Sequence, residues 1–316
     1  MTIKTYFRNI GQITKKTFIE WNKKDPFRQS ATVSYYAVFS MPALLVIIIA
    51  CAGLAFGREA VEGQISRQIG STIGYDTSKQ IEEIIAKASE TKSSIWATII
   101  SVVTLILGCT GVFGQLQISL NQIWGVKPSP KKKWLKSLKD RVFSFGIVIT
   151  IAFLMLVSLL VSAFLNGFSD WIKAHLPDFM LFVFQGLNFL ISFGIISTLF
   201  AVMFKVLPDV KVPWRSVWIG AFATTLLFLL GKFALGLYFG KANPGSTYGA
   251  AGSIILVMLW VSYSSMLVFL GAEFTKQYMV HHGEKIQPKK SAVLIGEVTK
   301  DNDMVAKPNL EKAAHT

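Results

Sequence analysis

Six long apolar segments alternate with polar, charge-bearing stretches along this chain, at 31–56, 95–116, 142–165, 179–204, 217–239 and 251–274. A helix rises ~1.5 Å per residue and the hydrocarbon core of a bilayer is ~30 Å thick, so each segment is long enough to cross a membrane as a helix. The predicted fold class is therefore all-α, a polytopic membrane protein with six transmembrane helices in a domain at 25–276. Ahead of it, in a unit at 1–24, Ile3, Tyr6, Phe7, Ile10, Ile13, Thr17, Phe18 and Trp21 follow helical spacing, while Lys4, Arg8, Lys15, Lys16 and Glu20 take the opposite side. This predicts an amphipathic helix, either lying in the membrane interface or packed on the ends of the bundle. Asp25-Pro26 offers an N-cap and first-turn pair for the first span, and Pro42 predicts a kink within it. The 57–94 connection repeats Ile65, Ile69, Ile73 and Ile81, Ile84, Ile85 at helical intervals, predicting two short helices that cap the bundle. Beyond Gln277 the apolar period is lost, which predicts a basic, disordered tail at 277–316.

Composition agrees with this pattern. The 316 residues are 52% hydrophobic and 16% charged, and the mean hydropathy is +0.48, a balance that would leave a soluble domain with more apolar surface than it could bury. The formal net charge of +14 changes the picture only through its placement. Basic residues crowd the segment before the first apolar run, the connection between the second and third (Lys127, Lys131, Lys132, Lys133, Lys136, Lys139, Arg141), the one between the fourth and fifth (Lys205, Lys211, Arg215), and the tail. By the positive-inside rule these regions, and both termini, are expected in the cytoplasm. The N-terminus is polar and basic for about thirty residues, so no signal peptide is expected and the first span should itself direct insertion.

The run Lys127-Pro-Ser-Pro-Lys-Lys-Lys-Trp134 is expected to meet anionic lipid headgroups, at ~1 kcal/mol per basic residue near the surface. No series of stacking aromatics accompanies it, so nucleic acid is not an expected partner. Cys51 and Cys109 lie inside apolar spans and read as packing residues. His175, His281, His282 and His315 lack metal-site spacing with carboxylates, and neither a phosphate loop nor a nucleophile elbow is present. No cofactor, metal site or enzymatic activity is expected.

Candidate functional residues are the polar ones that apolar spans retain. Lys232, in Leu230-Gly231-Lys232-Phe233, is the one charged residue well inside an apolar segment; it either faces a cavity, where its ammonium attracts an anionic solute, or snorkels to the outer headgroups. Glu273 lies at the opposite, cytoplasmic end of the last span, near Arg215 or Lys211 across the hairpin of spans five and six, which predicts an ion pair, with Arg215 the named candidate, that fixes the hairpin or gates it. The turn Gly240-Lys-Ala-Asn-Pro-Gly-Ser-Thr-Tyr-Gly249 places Ser246, Thr247 and Tyr248 where a helix start could bind an anion or where small residues let two helices approach. Gly236 and Gly240 have GxxxG spacing, compatible with the same close packing. Tyr35 in the first span and Asn188 in the fourth complete the polar set, since lipid cannot satisfy such groups.

Several strings in order resemble the YihY/BrkB family of bacterial inner-membrane proteins, once labelled ribonuclease BN-like. They are Ser34-Tyr-Tyr-Ala-Val-Phe-Ser40 with Pro42, Leu120-Asn-Gln-Ile-Trp-Gly125, Leu207-Pro-Asp209 with Val212-Pro-Trp-Arg215, Lys232, Tyr248-Gly-Ala250, Trp260 and Gly271-Ala-Glu273. The resemblance spans about Trp21 to Gln277 and implies six spans, a multi-pass place in the bacterial cytoplasmic membrane, and a transport or envelope-related role with no settled substrate. The ribonuclease label has no supporting chemistry in these residues. Two functions remain open: a transporter or exporter of a small polar or anionic solute, and a non-transporting membrane scaffold that binds lipid or a protein of the envelope. The oligomeric state is open as well.

Overall fold

The computed structural model describes residues 3–56, 63, 95–129, 178–242 and 252–295. Among these are six helices: α1 (Ile3–Asn22), α2 (Pro26–Phe56), α3 (Ile95–Trp124), α4 (Asp178–Val206), α5 (Trp214–Ala242) and α6 (Gly252–His281). Two short strands, β1 (Val126–Pro128) and β2 (Ala292–Leu294), complete the description. The expected span at 142–165 and the 57–94 connection lie outside the described residues. Among the described residues, three helical stretches are long and apolar enough to cross a membrane by length and composition: Phe189–Val206, Trp214–Tyr238 and Ile254–His281.

Local chemistry sets the helix ends. Pro26 opens α2, where a missing amide proton does no harm, and Asp25 before it takes a φ of 48°, a left-handed turn that Asp tolerates. The helix then continues through Pro42 to Phe56. The third helix runs eight residues beyond the apolar segment that predicted it, to Trp124. Gln117, Ser119, Asn121 and Gln122 end the apolar run without ending the helix; Gly125, with φ of 70°, supplies the left-handed stop. Gly283 at φ 78° closes α6 in the same way, with Gly283 N–H donating to the Val280 carbonyl (3.0 Å) and Glu284 N–H to that of Met279 (3.1 Å).

The expected disordered tail is corrected over its first part. The helix persists to His281, and the chain then folds back under the bundle: Lys211 N–H donates to the Gln287 carbonyl (2.9 Å) and Lys289 N–H to that of Asp209 (2.8 Å). Strand β2 pairs antiparallel with β1 in the register Val126 to Leu294, Lys127 to Val293 and Pro128 to Ala292. Backbone pairing with distant segments holds this stretch, and such pairing leaves no trace in apolar periodicity. Residues 296–316 lie outside the description.

In the bundle, α2 packs against α3 and α6, α6 against α5, α5 against α4, and α1 against α6. The buried core gathers at the end carrying α1 and the two strands, here termed the basic end, around Leu120, Ile123, Trp124, Phe204, Val217 and Phe269. On α1, Ile13 and Thr17 are buried while Ile10 and Phe18 stay exposed on the flank of the same apolar side. The helix thus packs on the bundle and also leaves apolar surface uncovered among the described residues. Further along, Leu190, Leu230 and Phe233 are about two-thirds exposed (64%, 67% and 69%), as expected of side chains whose solvent is lipid.

Close approach between helices depends on glycine notches. A Cβ built on Gly220 of α5 would overlap the Thr275 side chain of α6, and one on Gly271 of α6 would overlap that of Thr224 on α5. The relation is reciprocal: each Thr lies four residues after the Gly on its own helix and donates to that glycine's carbonyl (2.7 Å in both). Gly231 receives the Tyr263 hydroxyl, and Gly111 of α3 receives the Tyr36 ring of α2. Gly236, by contrast, is exposed with no atom near its notional Cβ, so Gly236 itself makes no close contact with α6 among the described residues. Small residues allow backbones to approach where lipid supplies no hydrophobic drive. Gly271→Ala is expected to destabilise the detergent-solubilised protein by ~1–3 kcal/mol through overpacking, read as a lower midpoint of thermal unfolding; adding Thr224→Ala should recover most of the loss.

Candidate functional site

The most concentrated polar chemistry lies at the basic end. Glu273 is fully buried (0% exposed) near the end of α6 and pairs with Lys24, whose side chain is 16% exposed, from the α1–α2 corner. Its other oxygen accepts from Gln277 Nε2 at 2.6 Å. Lys24 also donates to the Ile123 carbonyl (3.0 Å), and Lys276 donates to the same oxygen (2.8 Å). That carbonyl belongs to the last turn of α3, where carbonyls lack intrahelical partners and the helix dipole favours cations. Gln29 Nε2 bonds back to the Lys24 carbonyl and to Gln122 Oε1 (3.1 Å). One carboxylate and two ammonium groups thereby tie α6, the α1–α2 corner and α3 together. Three buried polar atoms of this region, Trp21 Nε1, Gln29 Oε1 and Trp124 Nε1, find no hydrogen-bond partner among the described residues.

A second polar joint lies beside it. Asn121 Nδ2 donates to Asp209 Oδ2 (2.9 Å) while Asp209 N–H donates to Asn121 Oδ1 (2.8 Å). This two-way bond fastens α3 to the α4–α5 connection, and both residues are buried. Lys205 at the end of α4 bonds to the Val212 carbonyl and sits over the Trp214 ring, 5.2 Å from its centroid, holding the same connection from the other side.

Glu273 and Arg215 do not form the expected pair. The hairpin geometry that suggested it left out the α1–α2 corner, which brings Lys24 across 249 residues of sequence into the place assigned to Arg215. Arg215 is exposed, and its neighbour Ser216 instead donates to Glu284 Oε2 (3.1 Å), linking the start of α5 to the segment after α6.

Lys232 lies ten residues from the end of α5, ~15 Å along the axis, on the stripe Ala221, Thr225, Phe228, Lys232 and Leu235. Ala221 and Thr225 are fully buried, and Thr225 Oγ1 accepts from Ser197 of α4 (3.0 Å). One turn from Lys232, Phe228 touches Phe200 of α4 and Trp260 of α6, with ring centroids 5.7 and 6.0 Å apart. One turn beyond it, Leu235 packs against Leu256 and Val257. Lys232 is half-buried and shares the face of α5 that carries Phe228 and Leu235, away from the Leu226, Leu230 and Phe233 side of the helix.

Tyr35 is 54% exposed and rests on Phe39 and Tyr36, with centroids 4.9 and 5.7 Å away. Asn188 lies on α4, its side chain outside the described set, and Ser246, Thr247 and Tyr248 fall outside the described residues altogether. Among the described residues no group of three His, Cys, Asp or Glu side chains converges as a metal site requires. Nothing in the sequence marks Lys24, Gln277, Asn121 and Asp209, because each lies near the border of an apolar segment, where a polar residue is ordinary; only their convergence distinguishes them.

Residues 17–294 match the family model described as Virulence factor BrkB. Curated relatives of this chain carry the name UPF0761 membrane protein, among them the following three. The protein from Tolumonas auensis is 30% identical over 58% of this chain and 58% of its own length. That from Verminephrobacter eiseniae is 30% identical over 50% of this chain and 36% of its own, so the chain spans between a third and three-fifths of these two relatives. The one from Alteromonas mediterranea is 25% identical over 92% of this chain and 95% of its own length. No solved structure matches the chain. Removing either partner of the buried pair, by Glu273→Leu or Lys24→Met, is expected to cost ~3–5 kcal/mol because it strands the other charge. Combining both changes should recover much of that loss in the same thermal-unfolding measurement.

Proposed function

The chain belongs to the Virulence factor BrkB family, whose relatives named above are membrane proteins, and from that premise we propose that it is a transporter or exporter of a small polar or anionic solute. The observation that carries the proposal is that Lys232 is half-buried in the apolar part of α5, on the face shared with Phe228 and Leu235, where a cation is costly unless it meets an anion or water.

The basic end supports the same reading. A buried ion pair is weak evidence for stability but suits an element with two arrangements. The Lys24–Glu273 pair joins three helices, and its surroundings keep the unused hydrogen-bonding capacity of Trp21, Gln29 and Trp124. In the proposed cycle this network closes the cytoplasmic end while Lys232 attracts the solute from the opposite half. A second reading, a non-transporting scaffold, is favoured by the interlocked Gly220–Thr275 and Gly271–Thr224 contacts, which make the α5–α6 hairpin a close-packed unit.

Flux of small anions into vesicles containing the purified protein separates the two readings. Transport predicts measurable flux that falls about ten-fold or more in Lys232→Met and survives in Lys232→Arg. Flux that ignores Lys232→Met removes this residue from the mechanism. No flux of any solute, together with a co-purifying stoichiometric partner, favours the scaffold.

A further inference from the structure

A cleft of about 250 Å³ opens at the basic end, between the last turns of α3, strand β1 and the α4–α5 connection. Asn121 and Asp209 line its polar side, Lys127 of β1 contributes a cation, and Ile118, Val126 and Ile295 form apolar walls. We propose that this cleft holds the headgroup of an anionic membrane phospholipid, with the phosphate at Lys127 and the start of an acyl chain along Ile118. The proposal stands apart from the transport reading and requires only that the chain reside in a membrane.

The cleft is amphipathic along the axis of α3. Ile118 lies six residues before Trp124, ~9 Å up the helix axis, and is 61% exposed. Lys127 lies just past the helix end, in the strand that β2 pins in place. A ligand that spans both must be apolar at one end and anionic at the other. The Asp209 carboxylate accepts from the Asn121 amide (2.9 Å) and lines the polar side of the cleft with it; a polar rim of this kind suits a headgroup that carries hydroxyl groups, as in phosphatidylglycerol. The chain continues from Ser129 into Pro130-Lys131-Lys132-Lys133, which adds positive charge in sequence next to the cleft and complements an anionic leaflet.

Full-length protein extracted in mild detergent from vesicles of equal phosphatidylglycerol and phosphatidylcholine tests this, with retained lipid counted by native mass spectrometry. The wild type is expected to keep phosphatidylglycerol in preference to phosphatidylcholine. Lys127→Gln should lower that retention about five-fold, the equivalent of one basic contact. Gln117→Trp, which fills the cleft without altering charge, should lower it similarly, whereas Lys211→Gln, an exposed basic residue outside the cleft, should leave it unchanged. Equal losses in Lys127→Gln and Lys211→Gln, equal retention of phosphatidylcholine, or displacement of the lipid by millimolar glycerol 3-phosphate would each overturn the proposal.

Discussion

A carboxylate with no exposure to solvent must be compensated where it stands, and Glu273 imposes that constraint on the whole basic end. Its ionised form needs a cation, and the cation available is Lys24, carried to it by the α1–α2 corner. The ammonium in turn shares the Ile123 carbonyl with Lys276, so the end of α3 is capped by the same group that neutralises α6. Asn121 and Asp209 extend the chain of dependence to the α4–α5 connection, and the segment after α6 closes it through Lys289 and Asp209. The buried core of Leu120, Ile123, Trp124 and Phe204 assembles around these joints.

Beside these polar joints, α5 and α6 are held by shape. The two Gly–Thr notches let α5 and α6 approach closely, and each Thr hydroxyl satisfies itself on its own helix at the preceding turn. Such a contact needs no unpaired polar group in lipid. It also fixes the rotation of α5, and with it the stripe from Ala221 to Leu235 on which Lys232 lies. The helix that carries the candidate solute cation is thus oriented by residues two to three turns away that would never touch the solute.

Sequence determined the element type and location, because apolar length and polar interruption are local properties: the helices around 31–56, 95–116, 179–204, 217–239 and 251–274 are all present where described. It also singled out Glu273 and Lys232 as costly charges. Tertiary structure decided their surroundings. Glu273 meets Lys24 instead of Arg215, α3 reaches Trp124 through polar residues that find partners on other elements, and 282–295 is held by backbone bonds to 125–129 and 209–211. The physical reason is common to all three: helix propensity and hydrophobic period act over a few residues, whereas the partner of a buried charge or an unpaired backbone group is set by which distant segments the fold brings within hydrogen-bonding reach.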